Sequence, residues 1–140
     1  MGFRDLPLSR PEWNKKRGWH EISFNENNVT SDEDRYTRTS NLIKKEDNLA
    51  LGGLSIGWSH SAYLRTNSHN KEWANSIKIP TLVLCAMKDQ LINSQLTIEL
   101  CSNIPNHTII EIQGEHELLM EKDNIRKECW EKIDNFIQKL

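Results

Sequence analysis

The sequence lacks the features that would place it in a membrane, on a nucleic acid or outside the cell. No apolar run approaches the length of a membrane-spanning helix, and the charged start has no apolar signal segment. The formal net charge is only −2, and the basic residues are scattered among acidic ones without a basic stripe. We therefore expect a cytoplasmic protein with no nucleic-acid partner.

The sequence has only three cysteines, and its cysteines and histidines are not spaced like the ligands of a metal site. Cys85, Cys101 and Cys129 are odd in number, widely spaced, and each lies in a predicted apolar element. This pattern favours buried reduced thiols in a cytosolic protein over a disulfide or a metal site. His60 and His69 have no partner at the spacing of a metal site. The sequence therefore predicts no metal and no cofactor.

The most regular stretch of the sequence is Ile77–Asp123, in which two short apolar runs flank a helical segment. The runs are Pro80–Cys85 and Thr108–Ile112, and Ser94–Cys101 between them has the pattern of a helix. Strand, helix and strand in this order form a βαβ unit, whose parallel strands carry ligand sites at their carboxyl ends. The sequence therefore predicts an α/β fold, with a last helix at about 124–139 covering the sheet.

One chemically useful side chain follows each predicted strand: Asp89 the first and His116 the second. In a Ser-His-acid triad the histidine takes a proton from the nucleophile, while the carboxylate fixes its tautomer and stabilises the imidazolium. We expect the two side chains to meet at one sheet edge, with Gly114 allowing a sharp loop before the histidine. A solvated surface aspartate and histidine are the alternative. Glu121 and Asp123 could mimic the acid, but we expect them to open the last helix, where negative charge suits the dipole.

A serine-elbow pattern also occurs, at Gly53–Gly57. It matches G-x-S-x-G, and the chain order Ser55, Asp89, His116 is the order of that fold. An elbow serine needs a buried strand directly before it, but Lys44–Leu51 is highly charged and poor in β-branched residues. We therefore expect Ser55 not to be the nucleophile.

The first half of the chain shows helical signals instead. Thr30 to Glu33 has the pattern of a capping box, with Thr30 as N-cap, and predicts a helix to about Lys45. A second helix is expected at Trp58–Arg65.

Four stretches resemble a known family. IPTLVLCAMKDQLIN and IIEIQGEHELLMEKD resemble the regions that carry the acid and the histidine in α/β-hydrolases of the monoacylglycerol lipase and lysophospholipase type. NNVTSDEDRY and LGGLSIGW are similar to the cap of the lysophospholipase subgroup. The resemblance covers the back half of such an enzyme. It implies a partial α/β-hydrolase fold, with a cap or lid-like segment at 1–76 and a βαβα part with the last two parallel strands at 77–140.

The resemblance also implies an activity. It is hydrolysis of a carboxylic ester of a lysophospholipid or monoacylglycerol, with Asp89 and His116 as catalytic residues. The nucleophile and oxyanion hole would belong to a missing front half, so we expect the chain alone to be inactive. The alternatives are a non-catalytic complementation module for a separately encoded front half, and a small esterase that uses Ser55. We also expect self-association of the isolated chain and peripheral contact with the inner face of a membrane.

Overall fold

The computed structural model describes residues 22–49 and 54–140 of the chain. In these residues the helices and strands follow one another as α1 (Glu33–Lys45), α2 (Ile56–Ser68), α3 (Lys71–Ser76), β1 (Thr81–Ala86), α4 (Ser94–Cys101), β2 (His107–Ile112) and α5 (Asp123–Ile137). Short 3-10 turns lie at Phe24–Glu26, Asp47–Leu49 and Leu118–Met120. The predicted strand–helix–strand–helix order is therefore confirmed; the bounds of α4 agree with the predicted ones, and the ends of the other three elements differ by at most two residues.

The chain divides into two compact units. The described residues of the first unit are 22–26, 36–49 and 54–68, which include α2 and most of α1. The second unit consists of 27–35 and 69–140 and contains the sheet with α3, α4 and α5. Both predicted site residues, Asp89 and His116, therefore belong to the second unit.

The sheet of the second unit is a parallel pair, in a register that runs from Thr81 opposite His107 to Ala86 opposite Ile112. Beyond the last register pair, Met87 N–H donates to the carbonyl of Ile112 at 2.8 Å. α4 is the crossover between the strands, as a parallel connection requires. The parallel pairing expected from the sequence is confirmed, and the carboxyl ends of both strands lie at one edge.

Helices cover this sheet and form its core. α4 contacts both strands, and α5 contacts β1. Ile112 of β2 and Cys129 of α5 are fully buried, and Ile104, before β2, is 3% exposed. The core is small, so individual side chains contribute a large part of the stability.

Asparagine side chains cap the N-termini of two of these helices. Asn93 accepts the N–H of Leu96 at 3.0 Å at the start of α4, and Asn70 accepts the N–H of Trp73 at 2.9 Å at the start of α3. Each bond satisfies one of the backbone donors that the first turn of a helix leaves free. The cap at Asn70 stabilises α3, the short helix that precedes β1.

The start of α1 differs from the predicted capping box. Asp32 Oδ1 accepts the N–H of Arg35 at 2.8 Å, so Asp32 and not Thr30 caps the helix. The hydroxyl of Thr30 donates to the carbonyl of Met120 at 2.8 Å. The predicted cap was wrong because Thr30 Oγ1 accepts the N–H of Asp32 at 3.1 Å, which comes before the first helical residue, while its hydroxyl is oriented by a partner 90 residues away.

Ile112→Ala should lower the free energy of unfolding by about 2–5 kcal/mol, because it leaves a cavity at a fully buried position. Ile79→Ala removes the same atoms at a position that is 71% exposed, so its effect should stay within about 0.5 kcal/mol. Urea unfolding followed by tryptophan fluorescence would measure both. Equal losses in the two variants would contradict the described core.

Candidate active site

Asp89 lies three residues after β1, in a turn that its own carboxylate stabilises. Oδ1 accepts the N–H groups of Leu91 and Ile92 at 2.8 and 3.0 Å, as in an Asx turn. The side chain is only 8% exposed. Oδ1 thus stabilises the turn, and Oδ2 is available to a second partner.

That partner is His116, which lies four residues after β2. Nδ1 of His116 donates to Oδ2 of Asp89 at 2.7 Å, and the ring is 30% exposed. The hydrogen bond expected from the sequence is therefore present. A bond from Nδ1 to a carboxylate places the neutral imidazole's proton on Nδ1 and leaves Nε2 as the basic nitrogen.

Backbone hydrogen bonds extend the strand pairing into the two loops. After Met87, which still pairs with Ile112, Lys88 N–H donates to the carbonyl of Gly114 at 3.0 Å. A Cβ at position 114 would lie 2.7 Å from Cδ2 of Leu118 and 3.2 Å from Cγ2 of Ile125, so a larger residue would require these two side chains to shift. None of the described glycines has a positive φ, so the expected conformational role of Gly114 is not what the structure shows. These contacts fix the spacing between the loops that carry the aspartate and the histidine.

The environment of Asp89 favours its ionised form. Burial by itself would raise the pKa of Asp89, but the hydrogen bonds from His116 and from the backbone N–H groups of Ile92 and Leu91 outweigh it and lower the pKa. A carboxylate that is charged at neutral pH can hold the imidazole in one tautomer and stabilise the imidazolium when it forms.

Comparison with known proteins was made for both the sequence and the structure. No family model matches the sequence. Over 123 residues, or 87% of the chain, the sequence is 24% identical to a Haemophilus influenzae protein described as "Probable lysophospholipase L2". The structure matches a soluble variant of monoglyceride lipase from Saccharomyces cerevisiae, in complex with a substrate analog, with a TM-score of 0.57 and 15% identity over 80% of the chain. The chain spans 39% and 40% of the lengths of these two proteins.

The chain contains part of an α/β-hydrolase fold. The two proteins to which the chain is similar are described as a lysophospholipase and a monoglyceride lipase, which agrees with the resemblance seen in the sequence. In α/β-hydrolases the acid precedes the histidine along the chain, and Asp89 and His116 have this order. They also lie after adjacent parallel strands, at the edge where the fold places its ligands.

Ser55, the serine of the G-x-S-x-G match, lies directly before α2. Its Oγ accepts the N–H of Trp58 at 3.1 Å, which is the contact of a helix cap. The described residues 44–49, where the pattern would need a strand, are the end of α1 and a 3-10 turn. Ser55 belongs to the first unit, whereas Asp89 and His116 belong to the second. A capping role accounts for this serine without an elbow.

Glu121 is the site-supporting residue that sequence reasoning missed. We expected Glu121 and Asp123 to open the last helix; α5 does begin at Asp123, but Glu121 lies outside it and is fully buried. The Glu121 carboxylate accepts the N–H of Glu115, next to His116, at 2.9 Å and binds both the N–H and the hydroxyl of Ser31. Because Ser31 is 90 residues away along the chain, no local pattern could have indicated this role.

We also searched the part of the chain that the structure describes for a metal site, a membrane-spanning helix and a reactive thiol. There, no group of three His, Cys, Asp or Glu side chains is arranged to hold a metal ion, and no helix is long and apolar enough to cross a membrane. Cys85, Cys101 and Cys129 are free thiols, and burial raises the pKa of each. Raised pKa values keep these thiols protonated, so they are poor nucleophiles.

The free energy of unfolding should decrease as the pH falls below about 4. Asp89 has a lower pKa in the folded chain than in the unfolded chain, so its contribution is present above the unfolded pKa and is lost as the pH falls through the folded pKa. Asp89→Asn should remove this part of the pH dependence in urea titrations between about pH 6 and about pH 3. Asp134→Asn, at an exposed position of α5, is the matched control. Identical pH dependence in the two variants would contradict the described environment of Asp89.

Proposed function

We propose that Asp89 and His116 are the acid and the base of a Ser-His-Asp ester hydrolase. The observation that carries the proposal is the 2.7 Å hydrogen bond from His116 Nδ1 to Asp89 Oδ2, between loops that follow adjacent parallel strands. The chain order and the α/β-hydrolase fold support the same assignment.

In this reaction Nε2 of His116 takes the proton of a serine hydroxyl while the serine oxygen bonds to the carbonyl carbon of an ester. The imidazolium, stabilised by Asp89, then gives the proton to the departing alcohol, and an acyl-serine remains. Water releases the acid by the same two steps. The serine and the oxyanion donors would come from residues other than those that the structure describes, since Ser55 has the contacts of a helix cap.

The proposed substrate is a lysophospholipid or a monoacylglycerol. The names of the two similar proteins support this class, since one is described as a lysophospholipase and the other as a monoglyceride lipase. We assign residues 1–76 as the cap or lid-like segment and 77–140 as the catalytic part. In α2, the side chains of Trp58, Tyr63 and Leu64 are more than half exposed, which suits peripheral contact of a cytoplasmic enzyme with a lipid surface.

A chimera tests the assignment of Asp89 and His116. This chain would replace the matched region of the Haemophilus influenzae protein, and release of fatty acid from a lysophospholipid would be measured. His116→Ala and Asp89→Asn should each lower kcat about 1,000-fold or more, because they remove the base or its orientation. His107→Ala, at the opposite end of β2, should retain activity.

Ser55→Ala serves as a further arm of this experiment. It should leave the chimera active, because Ser55 caps a helix. Full activity of His116→Ala would reject the proposed function. Loss of activity in Ser55→Ala, together with ester hydrolysis by the isolated chain, would favour the small esterase that uses Ser55.

A second candidate is a complementation module that docks a separately encoded front half. Within the described residues the sheet has two strands, and β1 pairs along one edge with β2. The β1 sequence TLVLCA carries no charge, whereas exposed strand edges are usually protected by charged residues or proline. The free edge of β1 therefore favours addition of a further strand.

The isolated chain should self-associate at micromolar concentration, because the open apolar edge of β1 can pair with a strand of a second copy. Sedimentation velocity would measure its size, and near-UV circular dichroism of the five tryptophans would measure its packing. Val83→Lys, on β1, should reduce the association, because a charge protects a strand edge against pairing. A monomer with cooperative thermal unfolding would contradict the complementation module.

A further inference from the structure

We infer that Glu121 is a positioning residue for His116, because its buried carboxylate fixes the backbone from which the imidazole reaches Asp89. The consequence for catalysis rests on the function proposed above, whereas the positioning itself does not. Glu121 touches neither Asp89 nor the ring of His116 in the described contacts, so its effect is indirect.

The carboxylate of Glu121 is fully buried and surrounded by donors. Oε1 accepts the N–H of Glu115 at 2.9 Å and the N–H of Ser31 at 3.2 Å. Oε2 accepts the hydroxyl of Ser31 and, at 3.3 Å, the N–H of Lys122. Four donors thus replace the water that a buried charge loses, and hydrogen bonds to an ionised acceptor are the stronger ones.

The backbone is held on both sides of His116. The residue before it, Glu115, donates its N–H to Glu121, and the residue after it, Glu117, donates its N–H to the carbonyl of Val29 at 2.8 Å. Because the backbone is hydrogen-bonded at both neighbouring residues, the backbone of His116 has few conformations available. The ring of His116 is therefore aimed at Asp89 before any substrate arrives.

The second anchor, Val29, belongs to the strap, which we define as residues 27–35, and the first anchor, Glu121, binds Ser31 of the strap. The strap is also hydrogen-bonded to the backbone of the turn that carries Glu121. Thr30 donates its hydroxyl to the carbonyl of Met120 at 2.8 Å, and Arg35 Nη1 donates to the carbonyl of Glu121 at 2.9 Å. The strap, the His116 loop and Glu121 thus form one hydrogen-bonded assembly within the second unit.

The chemistry of the assembly requires a carboxylate at position 121. All four partners of Glu121 are donors, so both of its oxygens must accept. A glutamine has one acceptor oxygen; its amide nitrogen cannot accept the N–H of Lys122, and it would require the Ser31 hydroxyl to turn and act as the acceptor. Glu121→Gln therefore keeps the size of the side chain and removes its charge and one of its two acceptor oxygens.

The imidazole of His116 reports the positioning directly. Two-bond proton–nitrogen NMR spectra of the full chain, labelled with ¹⁵N-histidine, distinguish the Nδ1–H from the Nε2–H tautomer. The unmodified chain should show His116 as the Nδ1–H tautomer, and Glu121→Gln should convert its signal to a mixture of tautomers. Glu111→Gln removes the same charge from an exposed position on β2 and should keep the Nδ1–H form.

Hydrogen exchange measured by mass spectrometry gives a second readout, which self-association does not prevent. Glu121→Gln should speed exchange in the peptide around 113–122 about tenfold or more, because hydrogen bonds to a charged acceptor are lost. Ser31→Ala removes one donor to Glu121 and should give a smaller change in the same peptide. Exchange in the β1 peptide should remain unchanged.

The possible outcomes separate the two proposals. If the unmodified chain lacks the Nδ1–H tautomer, both the proposed function and this inference are contradicted. If the unmodified chain has it and Glu121→Gln retains it, only the positioning role is wrong. Faster exchange of β1 to the same extent as 113–122 would also overturn the inference, because Glu121 would then support the whole second unit and not the His116 loop.

Discussion

The parallel pairing of β1 with β2 is the constraint on which the site depends. Two parallel strands end at the same edge of a sheet, so the loops that follow them start side by side. The bonds from Met87 to Ile112 and from Lys88 to Gly114 carry this pairing past the strand ends. Asp89 is thereby brought to His116, although 27 residues separate them in sequence. A shift in register would move each of these partners out of reach.

Two ionised carboxylates stabilise the site in different ways. Asp89 binds the ring of His116 and two backbone N–H groups of its own turn, whereas Glu121 binds the backbone before His116 and Ser31 of the strap. Hydrogen bonds to charged groups contribute about 1.5–3 kcal/mol each, so both carboxylates matter in a second unit with a small core. The pKa of Glu121, like that of Asp89, is lowered: burial would raise it, but the bonds from Ser31, Glu115 and Lys122 outweigh burial.

The sequence predicted the parts of the fold that depend on local pattern. The two strands, α4 and α5 follow from apolar runs and helical spacing, and the contact of Asp89 with His116 follows from their places after parallel strands. Contacts between distant segments were beyond such reasoning. Thr30 looked like a cap but binds Met120, and Glu121 looked like the start of a helix but binds Ser31. Both errors have the same physical cause. A polar side chain that could form a local hydrogen bond can instead bind a residue that is distant in sequence, and the local pattern does not contain that partner.

The central claim is that Asp89 and His116 act as one catalytic pair. When two residues act as a unit, the losses in activation free energy caused by their single substitutions do not add. Once the base is removed, the carboxylate has no imidazole to orient, so its own substitution has no further effect. The most direct test compares kcat of the chimera carrying Asp89→Asn, His116→Ala or both changes. The account predicts that the double variant is no slower than His116→Ala alone. A double variant whose loss equals the product of the two single losses would contradict it.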